Sequence, residues 1–398
     1  MSIPNTAEVG AIGMSRRGGE WCAVQFPLGN RDKASGMRYL AVLLSALWLI
    51  APGMPSAEGA APAAGMSLVY AIAEAAAGPR TTTVYLHAAD SGERRTLYRD
   101  TSDENRILLR IAASDVVGAA RTAPPGDVYL IMGEASMGDL SMGADALCRL
   151  RVAEAGEEQA PPEPILVIPL CFSDASPYGL WNRAPIFAVS PGAKRVALYA
   201  LRAGDVRFAG PAIRVLAADG TEEWRIMLDD PALYVADLAW SPDGRFLAYT
   251  VMPQGDEHTL DDALLTKAGL YLADLRVRTT WLVHRCYADA VAWGPAPDRV
   301  TVAARANDFW SQRYVAQVIS ARSGERIEEF SLPNRVSAAA YSSDGKWLAV
   351  QAASGDSQQI WLYPSTEGWG QLLHEAATES GRLSLLGWVG ATAAETEP

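Results

Sequence analysis

The sequence predicts an all-β fold: a six-bladed β-propeller with four-stranded antiparallel blades, closed by a C-terminal strand that completes the first blade. Three observations carry this expectation. A strand–turn–strand phrase occurs at Leu238–Tyr249 (LAWSPDGRFLAY) and returns at Ala339–Val350 (AAYSSDGKWLAV), with degraded copies at Phe187–Leu198 and Val291–Val302. The anchor residues Val189, Trp240, Trp293, Tyr341 and Trp388 are spaced by roughly 50 residues, the period of a four-stranded blade. Finally, the chain from Ser67 opens with strands but no innermost one, while Leu383–Val389 is an innermost strand with no blade. Joined, the two make one sheet and remove the open edges of a linear array.

Taken in order, residues 1–36 show no hydrophobic periodicity and read as a disordered or non-native extension, with Met37 as the natural start. The run Tyr39–Ile50 is uncharged; Arg31, Lys33 and Arg38 precede it, and Pro52, Gly53, Pro55 and small residues follow. A basic flank, an apolar core of about 12 residues and a small-residue zone define a secretory signal, whereas a spanning helix needs about 20 apolar residues. The segment 37–59 is therefore expected to be a cleaved signal peptide, placing the rest, 66–390 as propeller and 391–398 as a disordered tail, in the periplasm or outside the cell.

The first unit, Ser67–Arg99, holds three strands. The second, about 104–171, is the most diverged, and splitting it would make seven blades. Units three to six run near 184–228, 235–285, 289–332 and 335–375. In the repeated phrase Pro242 presets φ for a turn, Asp243 bonds back to the backbone, and Gly244 supplies a positive φ. The flanking residues alternate as strands between packed sheets do.

The 240–249 phrase resembles the repeat of TolB-type propellers, also called WD40-like Pro-Asp repeats, and similar repeats occur in prolyl-oligopeptidase-type propellers. The resemblance implies the propeller over residues 66–390. It comes without the N-terminal domain of TolB proteins and without a hydrolase domain, since no Gly-x-Ser-x-Gly elbow is present.

Composition narrows function by exclusion. The 398 residues are 49% hydrophobic and 20% charged, with four cysteines and a formal charge of −12. That excludes a disordered chain and a disulfide-stapled miniprotein. An acidic chain also lacks the basic stripe that nucleic-acid phosphates require. The histidines, His87, His258, His284 and His374, have no zinc-site spacing. Cys148 and Cys171 flank an expected hairpin around Glu157–Pro164, and a simple register pairs them in a disulfide; two buried thiols are the alternative, and Cys286 is left as a buried thiol.

Propeller topology sorts loops by face. The connections between second and third strands share a rim with the blade-to-blade links. That rim should carry Tyr178 and Trp181, Phe208, the acidic loop with Asp256, Glu257, Asp261 and Asp262, then Tyr287, Phe309 and Trp310. Long aromatic-bearing loops on a rigid scaffold are where binding resides. The acidic loop is either a solvated segment or a Ca²⁺ or cationic-ligand site, and Thr259–Leu265 within it can form a short helix with Thr259 as N-cap. Asp237, Asp289 and Arg335 mark the funnel entrance.

Two functions follow as expectations. One is an exported, non-catalytic scaffold, expected to be monomeric, that binds a protein or small ligand on its long-loop face. The other is a propeller enzyme of lyase, lactonase or glycosidase type with acids at the central funnel, which requires paired carboxylates converging on the axis.

Overall fold

The computed structural model describes residues 12–17, 20–25, 66–74, 80–89, 91–102, 108–113, 127–133, 144–152, 159–169, 186–199, 212–255, 260–294, 296–342, 344–364, 370–377 and 381–389. The chain divides into two compact units, Met1–Glu58 and Gly59–Pro398. In the first, β1 (Ile12–Arg17) and β2 (Glu20–Gln25) pair as an antiparallel hairpin with Ile12 opposite Gln25, in a segment whose composition carries no strand signal. The expected signal segment lies outside the described residues.

The second unit consists of six four-stranded antiparallel sheets. Chain order gives β3 (Ser67–Glu74), β4 (Arg80–Ala88) and β5 (Arg94–Ser102), then β6 (Leu108–Ala113), β7 (Asp127–Gly133), β8 (Ala144–Arg151) and β9 (Glu163–Pro169). Next come β10 (Ile186–Val189), β11 (Arg195–Tyr199), β12 (Ala212–Ala217) and β13 (Glu222–Met227), followed by β14 (Leu233–Trp240), β15 (Phe246–Pro253), β16 (Gly269–Asp274) and β17 (Thr279–His284). The last strands are β18 (Ala288–Trp293), β19 (Arg299–Arg305), β20 (Tyr314–Ser320), β21 (Arg326–Ser331), β22 (Arg335–Tyr341), β23 (Trp347–Ser354), β24 (Ser357–Pro364), β25 (Gln371–Ala377) and β26 (Gly381–Val389). Each sheet is a meander of consecutive strands except one, ordered β26-β3-β4-β5. There the C-terminal strand pairs antiparallel with β3, Trp388 opposite Leu68, and closes the fold as expected. Five sheets are described with side chains throughout most of their strands and pack as blades; β6–β9 is described through its backbone pairing and a few side chains. Innermost strands touch in succession, β6 to β10 to β14 to β18 to β22 to β26, and β26 returns to β6.

The repeated phrase forms the hairpin its residues dictate. Ser241 Oγ accepts the amide of Phe246 at 2.8 Å and donates to Asp243 Oδ1 at 2.6 Å, which in turn accepts the Arg245 amide at 3.0 Å. Gly244 supplies φ +67°. Ser342, Asp344 and Trp347 repeat these bonds at 2.7–3.0 Å around Gly345. The degraded copy at 187–198 keeps the serine and the proline but not the aspartate: Ser190 Oγ accepts the Arg195 amide at 2.8 Å, and Gly192 and Ala193 sit at φ +71° and +53°. The other degraded copy has Gly294 in the serine's place and keeps the backbone bond alone, the Gly294 amide donating to the Arg299 carbonyl at 2.8 Å.

Two of the anchors tie blade to blade through their indoles, while Trp293 Nε1 donates to the Pro297 carbonyl of its own hairpin. Trp240 Nε1 donates to the Ala188 carbonyl at 2.9 Å, and Trp388 Nε1 to that of Ala340 at 3.1 Å; each reaches the preceding innermost strand. Both indoles are buried, where a polar N–H needs such a partner. Alternate residues of facing sheets fill the space between: Ile213 and Val215 pack in one cluster with Tyr234, Val235 and Val251.

The register expected for the hairpin that follows Cys148 is corrected here, while the Cys148–Cys171 pairing itself falls on a residue outside the described ones. The β8–β9 register sets Pro164, not Cys171, opposite Cys148, and Ala144 opposite Pro169. Pro164 lies inside the returning strand rather than in its turn, which shifts the register; β9 is an edge strand, where proline costs no ladder bond. Cys148 is buried, and Cys171 lies outside the described residues.

Candidate functional site

The connection between β15 and β16 contains a single turn of helix, α1 (Asp262–Leu265). Its N-cap is Asp261, whose Oδ1 accepts the Leu264 amide at 2.7 Å, rather than the expected Thr259. A carboxylate caps better than a threonine hydroxyl and interacts favourably with the helix start. One of the loop's acids is therefore engaged in structure. Lys267, just after the helix, pairs with Asp230 at 3.0 Å and holds the loop to the β13–β14 connection.

Beneath this helix lies a cleft of about 340 Å³ between the β14–β17 and β18–β21 sheets. Three segments of the long-loop rim form it: Asp262–Ala268, the Arg285–Tyr287 link between the sheets, and Arg305–Asn307 at the end of β19, with Gln317 of β20 contributing from below. Its size falls in the range of small-ligand sites. Tyr287 packs edge-to-face on Phe309, and Phe309 on Trp310, with centroids 5.5 and 4.7 Å apart. The Arg305 guanidinium lies over the Phe309 ring at 4.6 Å, a cation–π contact that restrains its long side chain. Phe309 is buried, whereas Trp310 is 45% exposed at the edge of this group.

The electrostatics of the cleft suit binding better than bond-making. Burial pushes the Cys286 thiol up to about 12, so it is a neutral, poor nucleophile. Burial, reinforced by Asp308 and Asp262, also raises the Tyr287 phenol. Two arginines, Arg285 and Arg305, face one lining carboxylate, Asp262, so the lining carries a net positive charge within an acidic chain.

The funnel residues are placed differently. Asp237 is buried, and its Oδ2 accepts the Val291 amide of the next innermost strand at 3.0 Å. Asp289 pairs with Arg335 of the following strand at 3.3 Å, and this neighbour raises the arginine further. Each carboxylate thus bridges consecutive blades. Asp289 sits at a β-bulge in β18, matched by register shifts at the same repeat position in β14 and β22. Bulges re-aim side chains in this way. Among the described residues no group of three or more His, Cys, Asp or Glu side chains converges to hold a metal ion.

Of the residues expected on the binding face, the structure brings together Asp262, Tyr287, Phe309 and Trp310. Asp261 serves as a cap. Tyr178, Trp181, Phe208, Asp256 and Glu257 lie outside the described residues. Sequence reasoning missed Arg285, Arg305 and Gln317. Two weak signals were present: Arg305 stands just before Asn307–Trp310, and Gln317 is a polar residue in the middle of the mostly apolar strand β20. No helix among the described residues is long and apolar enough to cross a membrane.

No protein-family model matches this sequence, and no curated protein matches it. Among solved structures, TolB from Acinetobacter baumannii is similar over 93% of this chain and 76% of its own, with TM-score 0.52 and 14% identity. A putative TolB from Agrobacterium tumefaciens aligns over 83% of this chain and 92% of its own at TM-score 0.43 and 12% identity. A chain of a nidogen/laminin complex aligns over 81% and 97% at TM-score 0.47 and 11% identity. At these identities the likeness is one of architecture: the chain is a β-propeller with four-stranded antiparallel blades, structurally similar to TolB.

Proposed function

We propose that this chain is an exported, non-catalytic recognition module: a TolB-like propeller of six blades, counting β6–β9 as the sixth, that binds a protein or small ligand on its long-loop face. The observation that carries the reading is the cleft, built by three separate segments of that rim and lined by positioned polar groups without an activated nucleophile. The signal-like segment 37–59 supports export, and the acidic charge argues against nucleic acid as partner. Trp310 supplies the test, because its exposure lets it be replaced without opening the core. Trp310→Ser should lower recovery of partners from the exported fraction by about tenfold, as loss of an aromatic hot spot does. Unchanged recovery by a variant of unchanged melting temperature counts against the long-loop face.

The enzyme reading keeps one observation in its favour: Asp289 Oδ2 is buried and lacks a hydrogen-bond partner among the described residues. Its other oxygen is occupied by Arg335, and Asp237 is committed to a backbone amide, so paired acid–base carboxylates are not assembled there.

A further inference from the structure

Two polar atoms at the cleft have unmet hydrogen-bonding capacity. Gln317 is 6% exposed, and its Nε2 donates to Glu329 Oε2 at 3.1 Å. A carboxylate only accepts, so this bond fixes which way the amide faces. The Gln317 carbonyl oxygen is left buried with no donor among the described residues. Arg305 presents the opposite case: its Nε is buried with no acceptor, while its guanidinium rests on Phe309. Buried groups of this kind are costly when unmatched, and in native proteins they mark an absent water, ion or ligand. A bound molecule must bring a donor for Gln317 and an acceptor for Arg305.

Charge narrows the class. Arg285 and Arg305 exceed the single carboxylate Asp262, which favours an anionic acceptor, and Asp262 together with the Gln317 oxygen favours a cationic donor. Leu265, Ala268 and the neutral Cys286 leave an apolar remainder. Resting on the long-loop reading above, the geometry points to a free α-amino acid with an uncharged side chain as the ligand of this cleft. Its carboxylate pairs with the arginines, and its ammonium with Gln317 and Asp262.

The experiment uses the full chain and titrates L-leucine, isocaproate (its des-amino analogue), isoamylamine (its des-carboxyl analogue) and glucose by calorimetry, alongside a thermal-shift panel of the common amino acids. Uncharged amino acids should bind, and both truncated analogues should bind roughly tenfold or more weakly, as a site with buried polar partners rejects ligands lacking them. Gln317→Leu should lose amino-acid binding by about tenfold or more while the ligand-free protein melts within a few degrees of the wild type, because removing the unmatched oxygen offsets the lost bond to Glu329. The inference is overturned if no amino acid binds, if isocaproate equals L-leucine, or if glucose is the ligand. Should amino acids fail while Trp310-dependent partner capture persists, only this inference falls and the broader reading stands.

Discussion

Thr250 and Gln351 hold the same place in the repeat, the residue immediately after the phrase, yet they do opposite things. Thr250 lies in an internal sheet, fully buried, with a hydroxyl that has no partner among the described residues. Gln351 faces the closing strand. Its Nε2 donates to the Leu383 carbonyl at 2.8 Å, and its Oε1 accepts the Leu385 amide at 2.7 Å. One side-chain amide therefore reproduces a pair of strand bonds across the gap between two sheets, and Gln358 adds a third by accepting the Leu383 amide at 2.8 Å. Each sheet from β10 to β25 is one continuous meander, whereas β26 completes a sheet whose other three strands come from the start of the unit and must be held in place around the closure. The repeat specifies a blade; the residue after it specifies whether that blade forms the join.

Breaking this contrast should have its largest effect at Gln351. Gln351→Leu strands a carbonyl and an amide of β26 and should cost about 1–3 kcal/mol, read from urea denaturation. Loss no greater than experimental error would remove the clamp from this account.

Acid should weaken the same join by a second route. His374 of β25 lies with its ring 5.3 Å from Tyr70 of β3, whose neighbour Tyr85 carries the Arg94 guanidinium at 4.7 Å. Burial, then Arg94, holds both His374 and His87 below their ordinary 6.5, and for His374 the His87 charge adds to this. The folded state thus binds fewer protons than the unfolded one below pH 6.5. Stability from these groups is complete above that value and is lost as pH falls through the lowered values. Unfolding free energies at pH 7.5 and 5 should differ less in His374→Phe than in the wild type. An identical pH slope would show that the histidines are not involved.

The smallest effect belongs to Thr250. Thr250→Val keeps the shape and removes the unmatched hydroxyl, so stability should hold or rise by up to about 1 kcal/mol. Destabilisation by that amount would mean the hydroxyl has a role at this internal position after all.

Much of this organisation was legible in the sequence because it repeats. The Ser-Pro-Asp-Gly turn, the tryptophan anchors and the closing strand each follow from residues whose local chemistry permits few conformations. Registers and ties between distant segments were harder. Cys148 faces Pro164 because the return strand starts earlier than its prolines suggested, and α1 begins at Asp261 because a nearer carboxylate outcompetes Thr259. Of the candidate site, Asp262, Tyr287, Phe309 and Trp310 were found through loop sorting. Gln317 and Arg305 were not, since their significance lies in hydrogen bonds they fail to make, and no pattern along a chain records an unmade bond.

The sheet that begins at Ser67 takes its inner edge from a strand more than 300 residues downstream. During synthesis that first sheet must wait with its backbone groups bare until β26 has been made, so the ring becomes whole in a single late event. A chaperone or a translocating machine that holds the polypeptide extended would thus guard the edge of β3 above all others, and loss of the last strand would leave a ready template for pairing between molecules.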